Sequence, residues 1–305
     1  MGERKNCKTC SKTDCSAKKR REGESEEEFR ERQRLAQRLC GIKRRIAVLS
    51  GKGGVGKSTV AANVAVALAA KGYSTGLLDV DIHGPSIPTL LGLENQPIYG
   101  EKEGLIPVDF EGLKVVSAGF LLRSQDEAIV WRGPMKANII RQFVSEVLWG
   151  ELDYLVVDCP PGTGDEPLSV CHTLECVDGA LIVTTPQKVA AVDVMKCVNF
   201  CKTLKIPVIG VIENMSGFLC PKCNTVTYIF RSGGGRELCK QMKVPFLGVI
   251  PIDPDIAYAC DVGKPFVRDF PESPATRKIL EIVETIEKKL PTQKESDEQT
   301  KEACL

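Results

Sequence analysis

The sequence predicts an α/β protein built on a doubly wound, mostly parallel sheet. Three observations predict it. Short apolar runs such as "YLVVDC" and "GALIVTT" are continuous rather than alternating, as suits strands covered on both faces. Longer stretches of helical pattern stand between most of them, and such alternation implies parallel strands joined by helical crossovers. The first apolar run, "RIAVLS", leads into "GKGGVGKST", a glycine-rich turn that opens an alanine-rich helix.

The elements follow in order. Residues 1–42 read as a charged arm. It holds Cys7, Cys10 and Cys15, then "KKRREGESEEEFRERQRLAQRLC", with almost no apolar face before Leu35. A solvated helix or a flexible arm is expected there. Residues 43–290 read as one domain. Its predicted strands are "RIAVLS", "STGLLDV", "KVVSAG", "YLVVDC", "GALIVTT", "VIGVIE" and "FLGVIP". Its predicted helices are "STVAANVAVALAAKG", "MKANIIRQFVSEVLWG", "DEPLSVCHTL", "AAVDVMKCVNFCKTLK", "GRELCKQM" and "ATRKILEIVETIEKKL". Residues 291–305 read as a polar tail, frayed at the end of the chain.

Bulk properties bound the function. The 305 residues carry a formal net charge of +1, which gives no bulk attraction to nucleic acid or membrane. No apolar run is long enough to cross a bilayer. The hydrophilic first forty residues lack the apolar segment of a secretory signal, so a cytoplasmic location is expected. Fourteen cysteines without an export signal read as metal ligands, redox thiols or small buried residues rather than disulfides. With only His83 and His172 as imidazoles, a metal site must lean on thiolate, which favours zinc or iron–sulfur chemistry.

The segment Gly51 to Ser58 matches the phosphate-loop pattern G-x-x-x-x-G-K-[ST], in the strand-to-helix context that the pattern needs. The expected ATP-binding stretch is Gly51, Lys52, Gly53, Gly54, Val55, Gly56, Lys57, Ser58 and Thr59. Its glycines let backbone N–H groups turn inward around phosphate oxygens, and the helix N-terminus adds partial positive charge. Lys57 is expected on the β- and γ-phosphates and Ser58 on Mg²⁺. Asp79 and Asp81 end the next strand, in "LLDVDIHGPS". Such carboxylates can bind Mg²⁺ through water, orient the attacking water, or simply form a turn. "YLVVDCPPGTGDE" ends its strand in Asp158, expected on the metal's hydration shell, and Gly162 can offer an N–H to the γ-phosphate. Asn214 ends another strand, in "VIENMSGF", and "IPIDPDIAYACDVGKP" is expected to line the base pocket.

The loop carries a second lysine, Lys52. In this it resembles the deviant Walker A motif, K-G-G-x-G-K-[ST], of the P-loop NTPases (SIMIBI class) that include nitrogenase iron protein, MinD, ParA and the Mrp family. The resemblance implies a homodimer in which Lys52 of each chain reaches the partner's nucleotide. A cation arriving on closure would stabilise charge on the transferred phosphoryl group. It also implies that Asp81 activates the attacking water and that Asn214 hydrogen-bonds the adenine edge, so the catalytic set is Lys52, Lys57 and Asp81.

"FLCPKCN" places Cys220 and Cys223 two residues apart, a spacing that lets both share one metal. Two ligands are half of a tetrahedral set, and two chains meeting near their two-fold axis would supply four. "GKGGVGKST", "DVDIHGPS", "WRGPM", "DCPPGTGDE", "TTPQ", "ENMSGF" and "CPKC" occur in the order seen in the Mrp/ApbC family of iron–sulfur cluster carrier ATPases, which the chain resembles over about residues 42–290. The resemblance implies slow ATP hydrolysis, a [4Fe–4S] cluster bridged by Cys220 and Cys223 of two chains, and cluster transfer to apo-proteins. The eukaryotic scaffold branch has a four-cysteine motif at its amino end. Here Cys7, Cys10 and Cys15 supply three close ligands and Cys40 is distant. Two rival readings stay open. A DNA- or membrane-positioning ATPase like ParA or MinD needs basic patches or an amphipathic terminal helix, which the sequence lacks. A structural zinc at Cys220 and Cys223 uses the same ligands as iron. Cys159, Cys171, Cys176, Cys197, Cys201 and Cys260 read as packing residues, and Cys239 as packing or a spare ligand.

Overall fold

A computed structural model of the chain describes residues 19–101, 104–121, 133–220, 222, 223 and 225–292, without the side chains of residues 121, 133–137, 188, 189 and 191. Cys7, Cys10, Cys15, Pro221 and the tail from residue 293 lie outside the described residues.

The chain opens with α1 (Glu26–Cys40), β1 (Ile42–Leu49), α2 (Lys57–Ala70), β2 (Thr75–Asp79) and a single turn, α3 (Ile87–Leu90). Three short strands follow, β3 (Tyr99–Glu101), β4 (Gly104–Ile106) and β5 (Val108–Phe110), then β6 (Leu113–Ser117). Next come α4 (Gly133–Glu146), β7 (Leu152–Asp158), α5 (Asp165–Thr173), β8 (Gly179–Thr184), α6 (Lys188–Thr203) and β9 (Val208–Glu213). A two-stranded hairpin, β10 (Phe218–Leu219) and β11 (Val226–Thr227), precedes α7 (Gly234–Met242) and β12 (Phe246–Val249). The chain closes with α8 (Pro254–Asp261), α9 (Phe266–Asp269) and α10 (Pro274–Lys289).

The main sheet runs β12-β9-β8-β1-β7-β2-β6-β5. Every neighbouring pair in it is parallel except β5 with β6, which are antiparallel. All seven predicted strands are present; β5 is an added edge strand whose three residues carry too little pattern to read. Successive side chains of β1 feed opposite layers. Ile46 and Val48 pack with α2 and α10, and Ala47 and Leu49 with α4, α5 and α6. Strand order reverses at β1, which lies between β7 and β8. A crevice outside its carboxyl end is where a ligand binds in such a sheet.

The helix in the arm is docked rather than solvated. Ser25 and Glu28 form a reciprocal capping box, and Leu35, Ala36 and Leu39 are buried in the layer that contains α4. Arg45 fastens its end: the guanidinium donates to the carbonyls of Leu39 at 2.6 Å and Leu174 at 2.8 Å. The stripe is short and lies only in the last turns, so the charged first half hides it in the sequence. No helix among the described residues is long and apolar enough to cross a membrane.

Candidate functional site

The segment Ser50–Gly56 leaves the sheet at β1 and hands over to α2. Gly56 caps the helix with φ 79°, a left-handed geometry that favours glycine. A Cβ there would also overlap the Asn214 side-chain amide. No side chain caps the first N–H groups of α2, so they remain open to an anion. Gly51 backs onto α6, where a Cβ would stand 2.5 Å from the Asp193 carbonyl oxygen.

Lys57, Ser58, Asp81 and Asp158 converge at the carboxyl ends of β1, β2 and β7. Lys57 Nζ lies 2.5 Å from Asp158 Oδ1 and 3.8 Å from Asp81 Oδ2, and donates to Ser58 Oγ at 3.3 Å. Burial opposes the Lys57 cation, but Asp158, Asp81 and Asp79 outweigh it and hold its pKa above the ordinary lysine value. Burial pushes the Asp158 and Asp81 carboxyls up, and Lys57 pulls them back only partly. Asp79 stands opposite Asp158 in the strand register. Burial, and then the Asp158 charge, push its carboxyl up to about 8. Its oxygens accept from Ser117 Oγ at 2.8 Å, the Asp81 N–H at 3.1 Å and the Ile87 N–H at 3.3 Å. Asp79 thus fastens the loop that carries Asp81, a role beyond the turn residue that the sequence also allowed.

Among the described residues Asp158 Oδ2 is buried without a hydrogen-bond partner. An orphan acceptor beside a serine hydroxyl suits the waters of a hydrated Mg²⁺, which bonds few carboxylates directly and keeps several waters. The Gly162 N–H, expected to face the γ-phosphate, instead donates to the Ser50 carbonyl at 2.7 Å. That bond stitches the loop after β7 to the start of the phosphate loop, and a phosphate contact from this N–H requires it to open. Asn214 Nδ2 donates to the Val55 carbonyl at 2.9 Å, so Asn214 abuts the phosphate loop itself. Cys260 Sγ lies 4.0 Å from Thr59 Oγ1, which brings the segment "IPIDPDIAYACDVGKP" beside the same loop. Lys52 is half-exposed, and among the described residues its ammonium has no carboxylate at ion-pair distance.

A family model described as the NUBPL iron-transfer P-loop NTPase, of the ParA group, matches residues 41–287. The chain belongs to that family. Among relatives of this iron-transfer P-loop NTPase, a cytosolic Fe-S cluster assembly factor NUBP2 homolog of Nematostella vectensis is 49% identical over 257 residues, covering 83% of this chain and 95% of the relative. An iron-sulfur cluster carrier protein of Methanocaldococcus jannaschii is 48% identical over 288 residues, covering 93% and 97%. A solved nucleotide-binding protein from Archaeoglobus fulgidus, in complex with ADP and with cobalt, is 45% identical with a TM-score of 0.68, covering 76% of this chain and 91% of that one. The cell-division ATPase MinD of Pyrococcus furiosus is 26% identical with a TM-score of 0.60, covering 81% and 99%.

In this member of the family the C-x-x-C pair lies on the β10–β11 hairpin. The Cys220 N–H donates to the Thr225 carbonyl at 3.0 Å. Cys220 is half-buried and Cys223 exposed. The Thr225 hydroxyl, 3.3 Å from Cys223 Sγ, holds that thiol below the ordinary cysteine value. Burial has the opposite effect elsewhere. It pushes Cys171 and Cys239 up to about 11, Cys197 and Cys201 up to about 12, and Cys159 well above the usual value. Cys239 is buried and packs against the Pro245 carbonyl. Cys176, read from the sequence as a packing residue, is exposed, and Cys260 is half-buried.

These directions predict a pH pattern for alkylation of the metal-free protein by iodoacetamide, followed peptide by peptide by mass spectrometry. Thiolate is the nucleophile, so Cys223 should keep reacting as pH falls from 8 to 7 when an ordinary thiol slows about tenfold. Cys159, Cys197 and Cys201 should stay unlabelled until the protein unfolds.

Proposed function

We propose that the protein is an ATP-dependent iron–sulfur cluster carrier working as a pair of identical chains. Cys220 and Cys223 of each chain supply two thiolates, and two chains together hold a [4Fe–4S] cluster as cargo for apo-proteins. The observation that carries this reading is the contrast among the thiols. The C-x-x-C pair is accessible on a hairpin and its outer thiol is activated, while five other cysteines are buried and held protonated. Among the described residues no group of three or more His, Cys, Asp or Glu side chains could hold a metal ion. One chain's hairpin is therefore half a ligand set. The relatives named as cluster carrier and cluster assembly factor support the same reading, and the cytosolic relative favours a cytoplasmic setting.

The nucleotide chemistry uses residues already described. The phosphate loop and the open N–H groups of α2 bind the phosphates, and Lys57 leaves Asp158 to meet the β- and γ-oxygens. Ser58 and, through its hydration shell, Asp158 would hold Mg²⁺, which when bound would supply charge neutralisation at the phosphates. Asp81, fastened by Asp79, orients the attacking water. Lys52 of the facing chain stabilises the charge on the transferred phosphoryl group. Nucleic acid and membrane have no part in this reading.

Anaerobic reconstitution with iron and sulfide tests it. The expected product is brown, with broad visible absorption and acid-labile sulfide. A colourless protein that retains zinc on the same two cysteines would make the hairpin a structural site instead, because thiolates suit both metals.

A further inference from the structure

β9 ends in a buried carboxylate, Glu213. Its Oε1 accepts from Ser216 Oγ at 2.6 Å and from the Gly233 N–H at 3.3 Å, and its Oε2 accepts from the Gly235 N–H at 2.6 Å. Ser216 and Gly233–Gly235 stand just before and just after the segment that carries β10, Cys220, Cys223 and β11. One side chain therefore holds both ends of the thiolate hairpin. The next residue, Asn214, is bonded to the Val55 carbonyl of the phosphate loop. Between Asn214 and Ser216 the backbone turns through Met215 at φ 57°, a left-handed geometry that costs a side-chain-bearing residue energy. Such outliers persist only where their surroundings over-determine them, and they gather at switch regions.

We propose that Glu213 is a positioning residue that transmits nucleotide occupancy from the phosphate loop to the C-x-x-C hairpin, within one chain. A ligand shifts a second site only through contacts that differ between two arrangements. Phosphate draws the N–H groups of the loop inward and turns the Val55–Gly56 peptide, whose carbonyl is the one Asn214 holds. Asn214 then moves the strained turn at Met215, and Glu213 carries that movement to Ser216 on one side of the hairpin and to Gly233 and Gly235 on the other. The accessibility of Cys220 and Cys223 follows the nucleotide. This deepens the carrier reading, which supplies the purpose of the hairpin, but it is tested without any cluster, so the two stand or fall separately.

The test is the iodoacetamide labelling rate of the peptide containing Cys220 and Cys223, in the full-length metal-free chain, without nucleotide and with the non-hydrolysable analogue AMP-PNP. The wild-type ratio of the two rates should be about fivefold or more, the range of ordinary coupling between sites. In Glu213→Gln, where an amide faces the Gly235 N–H, the ratio should fall to about 1–1.5 while the analogue still binds. A merely structural anchor would raise both rates together and leave their ratio intact, which overturns the proposal. So does a wild-type ratio near one. So does a ratio that changes with protein concentration, because that signal would come from pairing of chains. Should Glu213→Gln fail to bind the analogue, the ratio is read in Ser216→Ala, which removes one bond at one end. There a fall supports the proposal and an unchanged ratio overturns it.

Discussion

Lys52→Ala is expected to lower ATP turnover by about 10³-fold, the order of effect of a cation supplied in trans to a phosphoryl transfer. Nucleotide affinity should stay within about threefold, because an interaction made only in the transition state lowers turnover without weakening ground-state binding. The geometry supports this division of labour. Lys57 is the buried lysine, committed to Asp158 and Asp81 inside its own site. Lys52 is half-exposed on the same loop. Steady-state phosphate release and equilibrium titration with a fluorescent ADP check the two halves. Turnover that survives the substitution would remove Lys52 from the reaction.

The second large effect is expected at the hairpin. Cys220→Ser or Cys223→Ser should abolish cluster uptake, seen as loss of visible absorption after reconstitution. Each chain loses one of two ligands, so the shared cage falls from four thiolates to two. Nucleotide affinity should not change, since neither thiol belongs to the phosphate loop. The same substitution at Cys197 buries a hydroxyl in an apolar layer. It should lower stability by about 1–3 kcal/mol and leave the cluster in place. The contrast separates ligand loss from general damage.

Much of this was legible in the sequence because each feature has a local physical cause. Strands buried on both faces must read as unbroken apolar runs, and all seven that the pattern marks are in the sheet. The phosphate loop is legible because backbone geometry demands glycine at fixed spacing, and Asp158 because a carboxylate closing an apolar strand has no packing reason to be there; Asp81, two residues past the end of β2, takes its role only from the family resemblance. Other features depend on contacts between distant segments. The docking of α1 turns on three residues and on Arg45, which reaches across from β1. The Gly162 N–H is taken by Ser50, a pairing that no local pattern encodes. Asp79 looks like a turn residue until Ser117, far along the chain, is found on its carboxyl. Glu213 had a signal, a charge at the end of "VIGVIE", but its meaning lies in Gly233 and Gly235, which only the fold brings to it.

Native mass spectrometry of the anaerobically reconstituted protein, with ATP present, bears most directly on the shared cage. The species expected is two chains with one [4Fe–4S] unit, about four irons to two polypeptides. A single chain carrying a complete cluster, or a pair of chains each carrying its own, would contradict it.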